Sequence, residues 1–157
     1  MRYLVTGSQM RAIDQDTIQN IGIPSLVLME RAAECVARKA EQLCDQKTLQ
    51  ILAICGVGNN GADGVAAARM LYLHGFDVLV VVVGNEAHAT KEFEVQKGIA
   101  EKLEIPVVDW EHFLHGEDEQ KAGDCAIIDA VFGVGLSRDV EGTYAEVLDW
   151  INEAETE

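Results

Sequence analysis

Short aliphatic runs alternate with segments whose apolar residues recur at helical spacing. The aliphatic runs carry few charges, which is typical of strands buried on both faces of a sheet. The runs are residues 49–55, 77–84, 105–108 and 124–131. The helical segments beside them are residues 64–74, 90–103 and 142–151, and residues 111–122 form a polar, partly helical excursion. This alternation predicts an α/β fold in which a mainly parallel sheet is covered by helices on both faces.

Two further helices are predicted before the first strand. Ser8 is the expected N-cap of a helix that ends near residue 20, and Gly22 and Pro24 then break the helical pattern. The apolar residues of this first helix are Met10, Ile13, Thr17 and Ile21. A second helix is expected over residues 25–43. Its apolar stripe consists of Leu28, Ala32, Cys35, Val36 and Leu43.

Composition narrows the class of protein. A chain of 157 residues is long enough for one domain with a substantial core. The net charge of −15 argues against nucleic acid or an anionic membrane as partner, because both require basic surfaces. The longest wholly apolar run, residues 78–83, is too short to span a bilayer, and no secretory signal is visible. Cys55 and Cys125 are expected to be reduced, buried thiols, which favours a cytoplasmic protein.

A glycine-rich loop at residues 55–64 lies between the first strand and the helix that follows it. Gly56, Gly58 and Gly61 match the G-x-G-x-x-G pattern of dinucleotide-binding loops. Glycines permit backbone angles closed to other residues, and a helix start directs free N–H groups at an anion. The alternative is a tight turn that needs glycine only for steric reasons. The pattern also expects an acidic residue after the second strand, and Glu86 is a loose match.

A second loop is expected beside the first. Asp129 is a carboxylate in an otherwise apolar strand, and the glycine loop 133–138 follows it. Both loops should emerge at the carboxyl edge of the sheet, where open α/β folds bind ligands. A carboxylate buried there would be costly without a partner. The oxygens of Asn60 and Asp129 suit an alkali or alkaline-earth cation. Taken singly, Asn59 and Asn60 could be turn formers, and Asp63 could cap the next helix.

No pair of nucleophile and base is apparent in the sequence. Ser137 has no base nearby, and Arg138 is placed either to bind a phosphate or to lie solvated at the surface. Glu30 and Arg31 indicate an exposed local pair or an interface feature. The histidines lack metal-binding spacing and are expected at the surface; they are His74, His88, His112 and His115.

Three stretches together resemble the NAD(P)H-hydrate epimerase family, the YjeF N-terminal domain. They are Asn-Asn-Gly-Ala-Asp-Gly at residues 59–64 with Arg69 after it, residues 22–33, and Asp-Ala-Val-Phe-Gly-Val-Gly-Leu at residues 129–136. The resemblance implies a Rossmann-like three-layer αβα sandwich with added N-terminal helices, formed by residues 1–157 as one domain and often dimeric. It implies an isomerase of nucleotide repair that interconverts the R and S epimers of hydrated NADH or NADPH.

The resemblance also assigns roles to residues. The substrate would contact Asn59, Asn60, Gly61, Ala62 and Asp63, together with Gly133, Val134, Gly135, Leu136, Ser137, Arg138 and Asp139. Asn60 and Asp129 would bind a potassium ion. Partners would be a second copy of the chain and an ATP- or ADP-dependent dehydratase, fused or separate, that repairs one epimer. Because no electron transfer is needed, the glycine loop would hold a substrate rather than a redox cofactor.

Two departures from the family pattern affect these expectations. Ala62 stands where the family usually has glycine, and a positive φ there would cost about 1 kcal/mol and crowd the ligand. The family continues into a strand ending in Asp-x-Pro-Ser-Gly, which supplies an aspartate at the substrate and a serine near the potassium. We therefore expect this chain to lack C-terminal strands and to be catalytically deficient alone. The alternatives are a non-catalytic nucleotide-binding or regulatory module and a nicotinamide-dependent oxidoreductase.

Overall fold

The computed structural model describes residues 4–44, 50–116, 125–137 and 139–154. The N-terminal helices are α1 (Gly7–Asp16), which continues into a π-helical turn (Thr17–Ile21), and α2 (Ser25–Leu43). The β/α part consists of β1 (Gln50–Gly56), α3 (Asn59–Leu73), β2 (Val78–Val83), a 3-10 turn (Glu86–His88), α4 (Lys91–Lys102), β3 (Val107–Asp109), α5 (Trp110–His115), β4 (Cys125–Ala130) and α6 (Thr143–Glu153). Predicted strand residues 49 and 124 and part of the predicted 111–122 excursion lie outside the described residues.

The described strands form one parallel sheet in the order β3-β2-β1-β4. Gly56 at the end of β1 pairs with Val83 of β2, and Cys55 pairs with Ala130 of β4. The carboxyl ends of these three strands therefore lie at one edge. The predicted α/β class is confirmed, because uninterrupted aliphatic strands such as β2 are buried along their whole length.

Helices cover both faces of the sheet and make a three-layer structure. On one face, Met29 of α2, Val65 of α3 and Phe93 of α4 pack against the strands. On the other face, Phe113 of α5 and Val147 of α6 bury the opposite side chains. The described helices include none that is long and apolar enough to cross a membrane.

Helix α2 packs through a different face from the one its sequence suggested. Its buried residues are Met29, Ala33 and Ala37, and Ala33 packs against alanines of α3. The predicted stripe is wrong: Val36 and Leu43 are exposed. Alanines spaced four residues apart let α2 approach α3 closely. Helix α2 therefore packs through this narrow face rather than through its bulkier apolar face.

Helix α1 lies outside the three layers and buries none of its residues. Its N-cap is Thr6 rather than the predicted Ser8, because Thr6 and Gln9 form a reciprocal capping box. The predicted apolar stripe is largely exposed, with Ile13 at 49% and Ile21 at 67%. Most of the exposed large apolar side chains in the described residues lie between residues 4 and 36. The N-terminal helices therefore present an apolar surface to solvent.

Glu30 and Arg31 do not pair with each other. Glu30 accepts hydrogen bonds from Arg69 Nη2 at 2.6 and 2.7 Å, whereas Arg31 pairs with Glu34 on its own helix. Gln96 of α4, which is 1% exposed, donates to Glu30 Oε1 at 3.0 Å. The prediction of an exposed local pair is wrong, because adjacent helix residues point in different directions. Glu30 instead ties α2 to α3 and α4.

The cysteines and histidines occupy the predicted environments. None of the four cysteines forms a disulfide within the described residues, and Cys55 and Cys125 are fully buried. Burial, followed by the charge of Asp129, raises the pKa of Cys55 and keeps it protonated. The four histidines are exposed, and among the described residues no three His, Cys, Asp or Glu side chains gather as a metal site.

Candidate functional site

The loops that follow β1 and β4 form the walls of a cavity of about 670 Å³ at the carboxyl edge of the sheet. A space of this size is within the range of small-molecule sites. Its lining comes from the first loop and α3 (Gly56, Val57, Gly58, Asn59, Asn60 and Asp63), the second loop (Val131, Phe132, Gly133, Val134, Gly135, Leu136 and Ser137), α1 (Arg11 and Asp14) and α6 (Tyr144).

The two loops contact each other directly. Asn60 Nδ2 donates a hydrogen bond of 2.9 Å to the carbonyl oxygen of Phe132. A Cβ placed on Gly133 would lie 3.1 Å from the Asn60 Cβ, so glycine permits this close approach. Asp129 Oδ1 accepts a hydrogen bond of 3.1 Å from the Val131 amide. Asn60 and Asp129 thus form hydrogen bonds with the backbone of two neighbouring residues, Phe132 and Val131.

Helix α3 begins at Asn59, five positions before the predicted start at residue 64. Its N-cap is Gly58, which provides no side-chain hydrogen bond. The alternative role considered for Asp63, that of a helix cap, is wrong, because Asp63 lies inside the helix. A helix start without a side-chain cap leaves backbone N–H groups without an intrahelical acceptor. Together with the helix dipole, these groups favour an anion in the cavity.

Three glycines of the first loop, Gly56, Gly61 and Gly64, serve close packing rather than unusual backbone angles. None of Gly56, Gly58, Gly61 and Gly64 has a positive φ. A Cβ on Gly61 would lie 1.5 Å from the Gly56 carbonyl oxygen, and one on Gly64 would lie 2.4 Å from the Ala130 Cβ. The steric explanation therefore accounts for Gly61 and Gly64. They bring α3 against β1 and β4 and set the position of the helix start.

Ala62 carries no backbone strain. It lies in the helix without a positive φ, and its side chain is fully buried in the core. It does not line the cavity. The two costs considered for alanine at this position, strain and crowding of the ligand, are therefore absent.

We predict that Ala62→Gly destabilises the protein by about 1 kcal/mol, because glycine is a weaker helix former and removes a buried methyl group. Urea unfolding followed by circular dichroism measures the change. The dissociation constant for NADPH should stay within about twofold of wild type, since the methyl group faces the core. Tighter NADPH binding by the glycine variant would show instead that Ala62 obstructs the site.

Asp63 lies in the cavity wall, half-buried on the second turn of α3. Burial first, and the negative charge of Asp14 second, raise the pKa of Asp63 from 3.8 to about 6. Its carboxylate makes no hydrogen bond or ion pair within the described part of the chain. Asp63 is therefore a partly protonated carboxylate at neutral pH, with its oxygens free for a ligand.

Three lining residues come from helices that the sequence did not link to the site. Arg11 and Asp14 come from α1, and Tyr144 comes from α6. The Tyr144 ring packs 5.0 Å from that of Phe132. Arg11 is the single cationic side chain of the cavity wall among the described residues. The i, i+3 spacing of Arg11 and Asp14 indicates one shared helix face, but only the tertiary structure shows that this face meets the cavity.

The other predicted site residues do not all line the cavity. Val134, Gly135, Leu136 and Ser137 are exposed and line the cavity. Asp139 borders a smaller hollow beside it, and Arg138 lies outside the described residues. Gly61 is buried at the base of the loop. Glu86, the loose match to a ribose-binding acid, pairs with Lys97 at 2.6 Å and is not part of the wall.

Asn60 and Asp129 carry oxygen atoms of the kind that bind alkali cations. Asn60 uses its Nδ2 for Phe132, which leaves Oδ1 as an acceptor. Asp129 is exposed on β4, so the cost expected for a buried carboxylate does not arise. It lies in a groove beside β4 rather than in the cavity wall. Amide and carboxylate oxygens are hard ligands, which suits potassium better than a transition metal.

Comparison with known proteins places the chain in a family. A family model described as YjeF-related protein N-terminus matches residues 25–157. The chain belongs to this family. A Limosilactobacillus fermentum protein named NAD(P)H-hydrate epimerase is 45% identical over 150 residues, covering 96% of this chain and 68% of that protein. An Oenococcus oeni protein of the same name is 39% identical over 148 residues, covering 94% and 67%.

A solved structure confirms the fold of this family member. The crystal structure of the yeast protein YNL200c superposes with a TM-score of 0.84, covering 99% of this chain and 68% of that one. Their sequences are 22% identical, so the likeness concerns the fold. Arg11 and Asp14 precede the segment that the family model matches, although the Limosilactobacillus relative aligns with 96% of the chain.

Proposed function

We propose that this protein is an NAD(P)H-hydrate epimerase, which interconverts the R and S epimers of hydrated NADH or NADPH. The observation that carries the proposal is the cavity at the carboxyl edge of the sheet, where the Asn60 hydrogen bond joins the two predicted substrate loops. Relatives that align with most of this chain are named for this activity. Isomerase activity is therefore the function that agrees with both the site and the family.

The cavity offers two features for an anionic nucleotide. The uncapped start of α3 provides backbone N–H groups and a positive dipole end for the pyrophosphate. Arg11 provides a guanidinium without a carboxylate within ion-pair distance in the described residues. These local groups are needed because the net charge of −15 repels an anion over longer distances. We infer that substrate phosphates lie between Gly58 and Arg11.

An oxidoreductase fits the site less well. Nicotinamide-dependent enzymes of this topology hold the cofactor ribose with an acid at the end of the second strand. Glu86 is the nearest acid in sequence, and it is engaged by Lys97 outside the cavity. Epimerisation makes no such demand, because the nucleotide is the substrate and no hydride leaves the site.

We propose that Asn60 and Asp129 take part in binding potassium. The support is the pair of hydrogen bonds that fixes both side chains on the 131–132 segment, with Asn60 Oδ1 left as an acceptor. Such an ion would supply positive charge beside the substrate loop. The same charge would partly offset the acidic surface of the protein.

Chromatography of purified R and S hydrates tests the function. We expect the protein to speed their interconversion well above the spontaneous rate, which would contradict the catalytic deficiency expected from the sequence. The activity should be higher in potassium chloride than in an equal concentration of tetramethylammonium chloride. Titration with NADPH separates the alternatives. Potassium-aided binding without turnover would favour a non-catalytic nucleotide-binding module, and hydride transfer to an acceptor would favour an oxidoreductase. Failure to bind either hydrate would contradict the proposal.

We propose that a second copy of the chain covers the apolar surface of α1 and α2, giving a homodimer. Ile13, Ile21 and Val27 are 49% or more exposed, and Val36 continues this surface along α2. Exposed apolar surface of this kind on a small domain marks an interaction site. A symmetric dimer is the commonest assembly that would bury it.

Ile13→Asp should shift the protein toward monomer in sedimentation experiments, by at least about tenfold in the dimer dissociation constant, because it would bury a charge at the interface. Leu73→Asp is a matched control, since Leu73 is 58% exposed on α3, outside the proposed surface. A monomeric wild type, or an Ile13→Asp protein that remains dimeric, would contradict the proposal.

We also propose a cellular location for the protein and an enzyme that consumes its product. The cysteines, none of which forms a disulfide within the described residues, support a cytoplasmic location, where thiols stay reduced. An ATP- or ADP-dependent dehydratase that accepts one epimer would consume the product of this reaction, whether fused or separate. Coupling the two activities in one assay should let the mixed hydrates be repaired completely.

A further inference from the structure

The proposed reaction requires a proton donor, and this inference rests on that proposed function. Hydration of the electron-rich double bond beside a ring nitrogen leaves a hydroxyl on the carbon bonded to that nitrogen. Epimerisation can proceed if this C–O bond breaks and then re-forms on the opposite face of the ring. Hydroxide is a poor leaving group, so the departing oxygen needs a proton from a positioned acid.

The cavity wall contains few groups that could supply this proton. The ionisable lining side chains in the described residues are Asp63 from α3, Asp14 and Arg11 from α1, and Tyr144 from α6. Tyr144 donates to the carbonyl oxygen of Val83 at 3.5 Å, and arginine stays protonated at all relevant pH values. The two aspartates remain, and Asp63 is the more enclosed of the two.

We propose that Asp63 is a catalytic residue that protonates the leaving hydroxyl, with Asp14 as a positioning residue that keeps the proton on Asp63. Protonated Asp63 gives its proton to the hydroxyl oxygen. The C–O bond then breaks, and its electron pair leaves with the oxygen as water. The lone pair of the ring nitrogen forms a C=N bond to the same carbon. Nothing is oxidised or reduced.

The return step restores every group. Water from the opposite face attacks the carbon, and its lone pair forms the new C–O bond while the C=N electrons return to nitrogen. The attacking water loses a proton to solvent, and Asp63 takes a proton from solvent. One hydroxyl has been exchanged for another, so the products differ from the substrate only in configuration.

The electrostatics of the cavity match this role. Burial and the negative charge of Asp14 hold the pKa of Asp63 at about 6, close to the pH at which a general acid is most effective. Arg11 and Tyr144 face the same space. Because the protonated form is the active one, the rate should fall as pH rises through about 6. Removing the Asp14 charge should move this fall to lower pH.

The test compares Asp63→Asn and Asp14→Asn with wild type in the epimer assay. Asp63→Asn should lower kcat at least about 100-fold and leave the NADPH dissociation constant within about threefold. Asp14→Asn should shift the falling limb of the pH profile to lower pH. Asp149→Asn, an exposed change on α6, is the control and should match wild type. Thermal melting establishes that each variant is folded.

Carbon-13 NMR of the aspartate carboxyls provides a readout that does not depend on turnover. Asp63 should titrate near pH 6 in wild type and lower in Asp14→Asn. An active wild type with an equally active Asp63→Asn would overturn this inference and leave the proposed function standing. An inactive wild type would contradict the proposed function. The carboxyl titration would then decide separately whether Asp63 holds its proton as inferred. An Asp63 carboxyl that titrates at its usual 3.8 would overturn the proton-holding role.

Discussion

Gly61→Ala should destabilise the protein by at least about 3 kcal/mol or prevent folding, although alanine is the better helix former. The added Cβ would lie 1.5 Å from the carbonyl oxygen of Gly56, which belongs to β1 and cannot rotate away. Relief requires α3 to withdraw from the sheet. Because Asn60 is the preceding residue of α3, its hydrogen bond to Phe132 should be lost together with the cavity wall.

Gly58→Ala is the matched control for this change. A Cβ on Gly58 meets no atom within 4 Å, and its φ of −94° is open to any residue. We expect a loss of about 1 kcal/mol, since alanine is a poorer N-cap residue than glycine but meets no steric clash here. Urea unfolding of both variants measures the difference. Equal stabilities would show that the glycines of this loop are kept for the ligand rather than for packing.

Glu30→Ala should cost about 2 kcal/mol, because it leaves two enclosed groups without their acceptor. Arg69, whose side chain is 14% exposed, loses both hydrogen bonds of its Nη2, and Gln96 Nε2 keeps only its long contact of 3.9 Å with Met29 Sδ. Arg69 Nε and Gln96 Oε1 are already buried without a partner within the described residues. The estimate is below that for a fully buried pair, since Glu30 itself is 40% exposed.

A double-mutant cycle isolates this interaction. Glu30→Ala combined with Arg69→Met should cost less than the sum of the two single changes, because the unpaired guanidinium is then absent. Arg31→Ala, which breaks the exposed pair with Glu34 on the same helix, should change stability by less than about 0.5 kcal/mol. If Glu30→Ala costs no more than Arg31→Ala, the contact between α2 and α3 does not depend on this pair.

The sheet was predictable because its strands are uninterrupted aliphatic runs. The apolar run Val78–Val83 is stable only when it is buried. Helices that connect successive strands favour a parallel sheet. The packing face of α2 was not predictable, since apolar residues surround much of the helix and only its fit against α3 selects Ala33 and Ala37. The start of α3 was missed because consecutive asparagines and glycines resemble a turn.

Part of the candidate site could likewise be predicted from the sequence, and part could not. The resemblance to a family indicated Asn60 and the loop at residues 133–137, and the structure brings them together at one cavity. Their binding of substrate stays a prediction. Arg11 and Asp14 lie three residues apart on a helix whose position depends on contacts distant in sequence. Spacing alone therefore could not show that this helix reaches the site.

Helix α1 supplies two charged residues to the cavity yet buries no side chain of its own. Within a single chain, little apolar contact opposes its local unfolding, so its free energy of opening should be a small part of the global value. Opening would remove Arg11 and Asp14 together. The apparent affinity for an anionic nucleotide would then depend on the fraction of molecules with α1 closed. A partner that covers α1 would raise that fraction, which would couple assembly to substrate binding without changing any residue of the glycine loops.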